Sequence, residues 1–345
     1  MALKFDMSHR NIPIFIPHLG CPNQCVFCNQ RSISGCSTFS EETVKNEIDR
    51  ALLTIAEAEE TEIAFFGGSF TGIDRDLMLR LLQTAEEYVQ KGRVASIRLS
   101  TRPDYIDDEI LTLLSRYSVR VIELGLQSMD DDVLKSTRRG HTAKQAIDAC
   151  QAIKRAGFAL VGQMMIGLPS ATAESEILTA RTIVSLGADA ARIYPTVVFY
   201  DTPLCEMTQM GAYQPLSVEE AVQRAAGVLE IFLQAGVPCI RIGLQATESL
   251  TSPAAVLAGP NHPALGELVW NEYYYQGLIK AIRHAKLCGK DVCLLVAERE
   301  ISKLVGQHRR NLDRLLRETD TRVCKIVGDK HLREGVVIAQ PTFHD

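Results

Sequence analysis

The chain has 345 residues, of which 46% are hydrophobic and 23% are charged, and its formal net charge at pH 7 is -5. This balance is typical of a globular protein with a sizeable core. The negative charge argues against nucleic-acid binding by the whole surface, and the lack of a long apolar run or a signal-like N-terminus predicts a cytoplasmic protein with no membrane partner.

Short β-rich apolar runs alternate with longer amphipathic segments over the first 240 residues. Six runs are predicted to be strands, at residues 12–17, 62–68, 94–100, 119–128, 158–169 and 188–195. Six segments, four of them with a residue that caps or closes a helix, are predicted to be helices, at residues 41–57, 74–90, 107–116, 142–156, 172–186 and 217–235. The alternation indicates an α/β fold with a parallel sheet, which is either a partial barrel or a doubly wound open sheet.

Residues with ligand-binding side chains or flexible backbones lie where the predicted strands end. They are Cys21, Cys25 and Cys28 after the first strand, Gly67, Gly68 and Ser69 at the second, Ser100 at the third, Gln127 at the fourth and Gly167 at the fifth. Because the carboxyl ends of parallel strands meet at one edge of the sheet, we expect these residues to share one functional rim.

Three of the ten cysteines, Cys21, Cys25 and Cys28, lie within eight positions, while the other seven are scattered singly, as buried thiols usually are. Thiolates bind soft metals, so the trio predicts an iron–sulfur cluster or a zinc site. A zinc site needs a fourth ligand, for which His18 and Cys36 are the candidates. A 4Fe-4S cluster held by three cysteines instead leaves one iron with an open coordination position for a small molecule.

The rhythm of strands and helices changes after residue 240, where a loop-rich stretch contains Pro253, Pro260 and Pro263. Residues 301–333 then carry nine Lys and Arg against four Asp and Glu, in a chain that is acidic as a whole. This asymmetry indicates a basic segment that could face RNA.

The spacing CxxxCxxC, with Phe27 before its last cysteine, resembles the signature of the radical S-adenosylmethionine (SAM) superfamily. Further stretches resemble the radical SAM domain of the elongator complex catalytic subunit, whose family acts at C5 of the wobble uridine of tRNA, and more loosely oxygen-independent coproporphyrinogen oxidases. These stretches are FFGGSF, STRPDYID, ELGLQS, TRRGHT, MMIGLP and RIYPT. The resemblance covers roughly residues 12–240 and implies a partial (β/α)6 TIM-like barrel.

The resemblance also implies cofactors and a reaction. Cys21, Cys25 and Cys28 would hold a 4Fe-4S cluster that reductively cleaves SAM to a 5'-deoxyadenosyl radical, with electrons from an external flavodoxin- or ferredoxin-like donor. The residues implied to contact SAM are Phe27, Gly67, Gly68, Ser69, Ser100, Gln127, Arg139 and Gln163. Ser100 stands where relatives often have glutamate, and Gln163 where the coproporphyrinogen oxidases have aspartate. For Arg139, a surface ion pair with Asp130, Asp131 or Asp132 is the alternative.

Elongator-type proteins continue into an acetyltransferase domain, for which we expect no room here, and they have a longer gap between their first two cysteines. Instead, residues 291–328 predict strand, short helix, tight loop, helix and strand, an order that resembles the KH RNA-binding motif and its GxxG loop. Arg309 replaces the second glycine. The candidate RNA contacts are Gly306, His308, Arg309 and Arg310, and a basic solvated helix start is the alternative.

Together these patterns predict three regions: a radical SAM partial barrel (1–240), a loop-rich and helical connecting segment (241–285) and a small basic α+β subdomain, KH-like in order (286–345). The predicted function is a radical SAM enzyme that modifies RNA, and tRNA in particular. The alternatives are a radical SAM enzyme for a small metabolite, such as a porphyrin-type substrate, and a non-enzymatic zinc-bearing RNA-binding protein.

Overall fold

A computed structural model describes residues 10–16, 19–21, 25–29, 39–55, 60–244 and 254–342. In this part of the chain, seven parallel strands form one sheet: β1 (Arg10–Phe15), β2 (Thr61–Phe66), β3 (Ser96–Thr101), β4 (Val119–Gln127), β5 (Ala159–Ile166), β6 (Ala190–Pro195) and β8 (Cys239–Ile242). Two short strands, β7 (Val198–Phe199) and β9 (Val256–Ala258), pair antiparallel in a separate ribbon.

The order of the seven strands follows the chain, as in a barrel. A doubly wound sheet would reverse its strand order at a switch point, so that alternative is wrong. Among the described residues no pairing joins β8 to β1, and the barrel is therefore partial and open. The sequence predicts six of these strands and misses β8, because a four-residue run interrupted by Arg241 is too short and too polar to indicate a strand.

The barrel strands are connected by helices whose order matches the prediction. They are α1 (Glu41–Leu52), α2 (Arg75–Gln90), α3 (Asp108–Leu114), α4 (Asp131–Ser136), α5 (Ala143–Arg155), α6 (Ala173–Ser185), α7 (Pro203–Gln209) and α8 (Val218–Gln234). Capping boxes at Thr142 and Ser217 satisfy the free backbone N–H groups that begin α5 and α8. The short helices α4 and α7 carry too little periodicity to be predicted. None of the helices described is long and apolar enough to cross a membrane.

The two faces of the sheet differ in chemistry. Ile97 and Leu99 of β3 belong to the main hydrophobic core, which also contains the buried apolar residues of the surrounding helices. Because successive side chains of a strand point to opposite faces, Arg98 between them lies on the concave face. There its Nε donates to Glu62 at 2.7 Å and its Nη1 donates to Glu123 at 2.9 Å. The inside of the barrel therefore contains buried charges.

Arg192 of β6 extends this set of charges across the barrel. Its Nη2 donates to the same oxygen of Glu123 at 2.8 Å, and its Nη1 donates to Tyr194 Oη at 3.0 Å. We call the four alternating charges the charged ladder: Glu62, Arg98, Glu123 and Arg192. The ion pairs of the charged ladder join β2, β3, β4 and β6, in addition to the backbone hydrogen bonds between the strands.

A second unit follows the barrel: α9 (Leu265–His284), β10 (Asp291–Ala297), α10 (Ile301–Val305), α11 (Arg310–Thr319), β11 (Arg322–Asp329) and β12 (Val337–Pro341). Its three strands pair in the order β11, β10, β12. The predicted order of strand, short helix, tight loop, helix and strand is confirmed from β10 to β11. Helix α9 contributes Val269 to the barrel core and Tyr274 and Leu278 to the core of this unit. The boundaries at residues 240 and 285 stay a prediction.

Candidate active site

The cysteine loop is docked onto two elements that lie far from it in the sequence. Val26 N donates to Thr137 O at 3.1 Å, and Leu204 N donates to Val26 O at 2.9 Å. Within the loop, Cys28 N donates to Cys25 O at 3.0 Å. The loop therefore rests between the end of α4 and the start of α7, at the carboxyl end of the sheet.

Phe27 supports the loop through an apolar cluster. It is 9% exposed and shares this cluster with Met165 of β5, Leu168 and Val198. A buried aromatic side chain at this place excludes water from the neighbouring sulfur atoms. A direct contact between Phe27 and SAM stays a prediction.

Two guanidinium groups face the cysteine sulfurs. Arg102 Nη1 lies 3.7 Å from Cys21 Sγ and 3.9 Å from Cys25 Sγ, and Arg139 Nη1 lies 3.4 Å from Cys25 Sγ. Cys25 is 3% exposed, so the two contacts to its sulfur are shielded from solvent, whereas Cys21 is half-buried. N–H groups of a cation stabilise negative charge on sulfur, which suits thiolate ligands and the anionic centre that they would hold.

Arg102 follows the third predicted strand on the expected rim, but it was not among the residues implied to contact the cluster or SAM. Its Nε and Nη2 donate to the two carboxylate oxygens of Asp104 at 2.9 and 2.8 Å, and Nη2 also donates to Arg139 O at 2.5 Å. Burial acts to lower the pKa of Arg102, but the hydrogen bonds and charge of Asp104 outweigh it, and the pKa lies above its ordinary value. The group is therefore permanently charged. Its only signal in the sequence is its position directly after β3, on the predicted rim.

Arg139 lies near the cysteine loop and inside the protein, and its contact with SAM stays a prediction. It is 7% exposed, and its Nη2 donates to Gly125 O of β4 at 2.6 Å. The alternative of a surface ion pair is wrong, because Arg139 is buried and its guanidinium group contacts Cys25 Sγ and Gly125 O, not a carboxylate of Asp130, Asp131 or Asp132. Arg139 Nε is buried and has no hydrogen-bond partner among the residues that the structure describes.

Gln127 and Gln163 form a reciprocal amide pair on the concave face. Gln127 Nε2 donates to Gln163 Oε1 at 3.1 Å, and Gln163 Nε2 donates to Gln127 Oε1 at 2.7 Å. Gln127 has a φ of 68°, a left-handed conformation that a non-glycine residue keeps only where its surroundings enforce it. Such strain is common at ligand sites. Ser100, also on this face, is half-buried.

The Gly67-Gly68-Ser69 turn packs against the chain that leads into the cysteine loop. A Cβ atom on Gly68 would lie 2.5 Å from Leu19 O and 2.8 Å from Ile16 O, and Gly67 has a φ of 95°. Ser69 is completely buried, and its Oγ lies 2.8 Å from Thr101 Oγ1. Close backbone packing is thus one reason for the two glycines, and their contact with SAM stays a prediction.

We expect Gly68→Ala to destabilise the protein by about 1–3 kcal/mol, because the added methyl group would overlap backbone oxygens that cannot move without displacing the cysteine loop. Urea denaturation of the metal-free protein measures the change. Gly277→Ala is the matched control, since nothing lies within 4 Å of the Cβ position of Gly277, which is inside α9. This control is expected to stabilise by about 0.5–1 kcal/mol. Equal effects of the two substitutions would contradict the packing argument.

The cysteine loop offers thiol donors of the kind that bind an iron–sulfur cluster. Cys21 Sγ and Cys25 Sγ face the same Arg102 nitrogen, and Cys28 lies on the same short loop. Among the described residues no three His, Cys, Asp or Glu side chains are arranged to enclose a metal ion. The Cys21 and Cys25 thiols, which face two buried cations, suit an anionic soft-metal centre better than a neutral one, and Cys28 lies on the same loop. His18 and Cys36, the candidate zinc ligands, lie outside the described residues.

The remaining cysteines are less uniformly buried than the sequence predicts. Cys150, Cys205 and Cys239 are buried, whereas Cys288 and Cys324 are exposed. Both exposed thiols belong to the C-terminal unit, where β11 is an edge strand with one open face.

The candidate RNA contacts lie on the C-terminal unit, in the turn between α10 and α11. Gly306, His308 and Arg309 have φ values of 74°, 51° and 63°. Asn311 holds the turn from inside, because its Nδ2 donates to Leu304 O at 3.0 Å. His308, Arg309 and Arg310 are exposed, so three side chains of basic type project from the turn and the start of α11.

Two family models match consecutive parts of the chain. The radical SAM superfamily matches residues 15–182, and the radical SAM C-terminal domain matches residues 188–275. Together they span most of the chain, and the first contains every residue of the cysteine loop, the glycine turn and the amide pair.

Relatives share the same region. An uncharacterized protein of Methanocaldococcus jannaschii is 28% identical over 239 residues, which are 66% of this chain and 73% of that protein. Elongator complex protein 3 of Dictyostelium discoideum is 27% identical, over 62% of this chain and 46% of that protein. tRNA uridine(34) acetyltransferase of Methanocaldococcus infernus is 27% identical, over 58% and 41%. The chain thus spans less than half the length of the last two.

A solved structure shows the same fold. Archaeal Elp3 of Methanocaldococcus infernus, with residues 1–46 deleted, superposes with a TM-score of 0.62 at 21% identity, over 79% of this chain and 64% of that one. This likeness agrees with the partial barrel described above.

Proposed function

Because the chain belongs to the radical SAM superfamily and is a radical SAM enzyme, we propose that Cys21, Cys25 and Cys28 hold a 4Fe-4S cluster and that the enzyme reductively cleaves SAM. The observation that carries this proposal is the approach of two buried guanidinium groups to the sulfurs of a docked loop. When bound, a 4Fe-4S cluster supplies the single electron that breaks the sulfonium bond. The proposed partner that delivers this electron is an external flavodoxin- or ferredoxin-like protein.

The protein's own groups would position SAM on the concave face. A side-chain amide has two N–H donors and two acceptor lone pairs, so the reciprocal pair of Gln127 and Gln163 leaves part of each amide for a ligand. The free Nε of Arg139 offers a further donor for a carboxylate. Ser100 offers a hydroxyl group where relatives often have a carboxylate.

This proposal is tested with protein purified and reconstituted without oxygen. We expect about four iron and four sulfide per chain, and formation of 5'-deoxyadenosine from SAM after chemical reduction. A single tightly bound zinc without acid-labile sulfide would contradict the proposal and would favour the zinc-bearing alternative.

For the substrate we propose RNA, and tRNA in particular. Two relatives are named for the elongator complex and for tRNA uridine(34) acetylation. The exposed basic turn of the C-terminal unit adds a second, independent argument, since Lys and Arg bind phosphates through charge. An acetyl transfer is not proposed, because the shared region covers less than half of those relatives.

Replacing Arg309 and Arg310 together by Ala is expected to weaken tRNA binding. The slope of log affinity against log salt should fall by about 0.7–0.9 for each phosphate contact that is lost. Fluorescence anisotropy with labelled tRNA at several salt concentrations measures the slope. The control replaces Lys91 and Arg93 by Ala, which removes the same charge from an exposed site at the end of α2.

An equal loss in both double variants would mean that the turn has no special role in binding. Salt-insensitive binding would contradict recognition of phosphates. Turnover of a porphyrin-type or other small metabolite without any binding of tRNA would favour the small-molecule alternative.

A further inference from the structure

We propose that Arg102 is a positioning residue that holds the Cys21 and Cys25 sulfurs and raises the reduction potential of the cluster that they bind. The inference rests on the proposed function and deepens it. It assigns a role to the buried guanidinium group of Arg102, which is not among the groups proposed to bind SAM.

The hydrogen bonds of Arg102 account for its whole guanidinium group. An arginine has five N–H donors. Nε and one N–H of Nη2 go to Asp104, and the other N–H of Nη2 goes to Arg139 O. The two N–H groups of Nη1 go to Cys21 Sγ and Cys25 Sγ. Each donor therefore has an acceptor among the described residues, and none is left for SAM or for a substrate.

Arg139 makes the contrast clear. It also reaches Cys25, but its buried Nε has no partner in the described part of the chain. The two arginines therefore have different roles. Arg139 keeps an N–H donor for a ligand, whereas the Nη1 group of Arg102 donates to the two cysteine sulfurs.

Asp104 fixes the orientation of the charge. Its carboxylate binds the edge of the guanidinium that is turned away from the sulfurs, so the positive Nη1 end points at Cys21 and Cys25. The Asp104 side chain is 17% exposed, whereas that of Arg102 is 3% exposed. Water therefore screens the negative end of the pair more than the positive end, and a net positive field acts on the sulfurs.

A positive field and N–H···S hydrogen bonds both stabilise the reduced, more negative state of an iron–sulfur cluster. The ease of the one-electron reduction that SAM cleavage needs would thus depend on a residue that touches no substrate. Lysine cannot replace Arg102 fully, because a compact ammonium group lacks the fork that binds Asp104 and faces two sulfurs at once.

The experiment is a redox titration, followed by EPR, of the reconstituted protein without SAM. In Arg102→Ala we expect the ratio of reduced to oxidised cluster at a fixed potential to fall at least tenfold, which is about 59 mV for a one-electron couple. Arg102→Lys should fall between this variant and the wild type. Arg116→Ala removes an exposed charge from the end of α3 and should leave the ratio unchanged.

The outcomes separate the inference from the proposed function. A fully loaded Arg102→Ala variant with a wild-type potential would overturn the role of Arg102 and leave the cluster in place. A wild-type protein that takes up no cluster would overturn the proposed function itself. If Arg102→Ala fails to load, Arg102→Lys decides, because it keeps the charge; a wild-type potential in that variant would overturn the inference.

Discussion

Replacing Cys25 by Ala is expected to reduce the iron content of the reconstituted protein to background and to abolish cleavage of SAM. Cys25 is the most buried of the three clustered thiols. It is 3% exposed and receives hydrogen bonds from both Arg102 and Arg139. A methyl group cannot bind iron, and two remaining thiolates cannot hold a cubane against solvent. Iron and sulfide analysis, and chromatography of 5'-deoxyadenosine, measure the two effects.

Cys150→Ala is the matched control for this experiment. Cys150 is completely buried in α5, and burial raises the pKa of its thiol to about 12, so it stays protonated and cannot serve as a metal ligand near neutral pH. The control should keep its iron and its activity. Full iron content in Cys25→Ala would contradict the assignment of this cysteine as a ligand.

Replacing Arg98 by Ala is expected to destabilise the protein by about 3–5 kcal/mol. Arg98 and Glu62 are both 1% exposed, and Glu123 is 4% exposed. Removing the arginine takes away the arginine partner of Glu62 and one of the two arginine partners of Glu123, so the desolvation cost of these buried carboxylates is offset less. The free energy of unfolding in urea, followed by circular dichroism on the metal-free protein, measures the loss.

Arg80→Ala provides the comparison for this substitution. Arg80 also pairs with a glutamate, Glu41, through two hydrogen bonds, but its side chain is 55% exposed and that of Glu41 is 39% exposed. Water replaces a lost partner at such a site, so the expected change is about 0–1 kcal/mol. A change below about 1 kcal/mol for Arg98→Ala as well would mean that the charged ladder does not stabilise the barrel.

The charged ladder also bears on how the site works. It lies on the same concave face as the amide pair of Gln127 and Gln163, in a barrel that does not close. A barrel filled with apolar side chains would leave no polar surface for a ligand. Here the paired charges keep this face polar. Their desolvation free energy is partly offset, because each carboxylate of the charged ladder has an arginine partner.

Much of the barrel could be predicted from the sequence because its signals are local. Alternating apolar runs and capping residues indicated six of the seven strands and the main helices, and the cysteine spacing indicated a soft-metal site. Strand β8 escaped because a four-residue run carries almost no periodicity, and α4 and α7 escaped for the same reason. The order of elements from β10 to β11 was also readable from residues 291–328, whereas β12 was not predicted.

The sequence by itself determined which residues follow the strands, and its cysteine spacing led to the hypothesis of a soft-metal centre at the rim. Only the tertiary structure decided how these residues meet. Arg102 is 81 positions from Cys21, and Arg139 is 114 positions from Cys25. Such contacts depend on how far each loop rises above the sheet and on which donors its neighbours already occupy. The distances between these side chains are set when parallel strands bring separate loops to one edge of the sheet. No local sequence pattern encodes them.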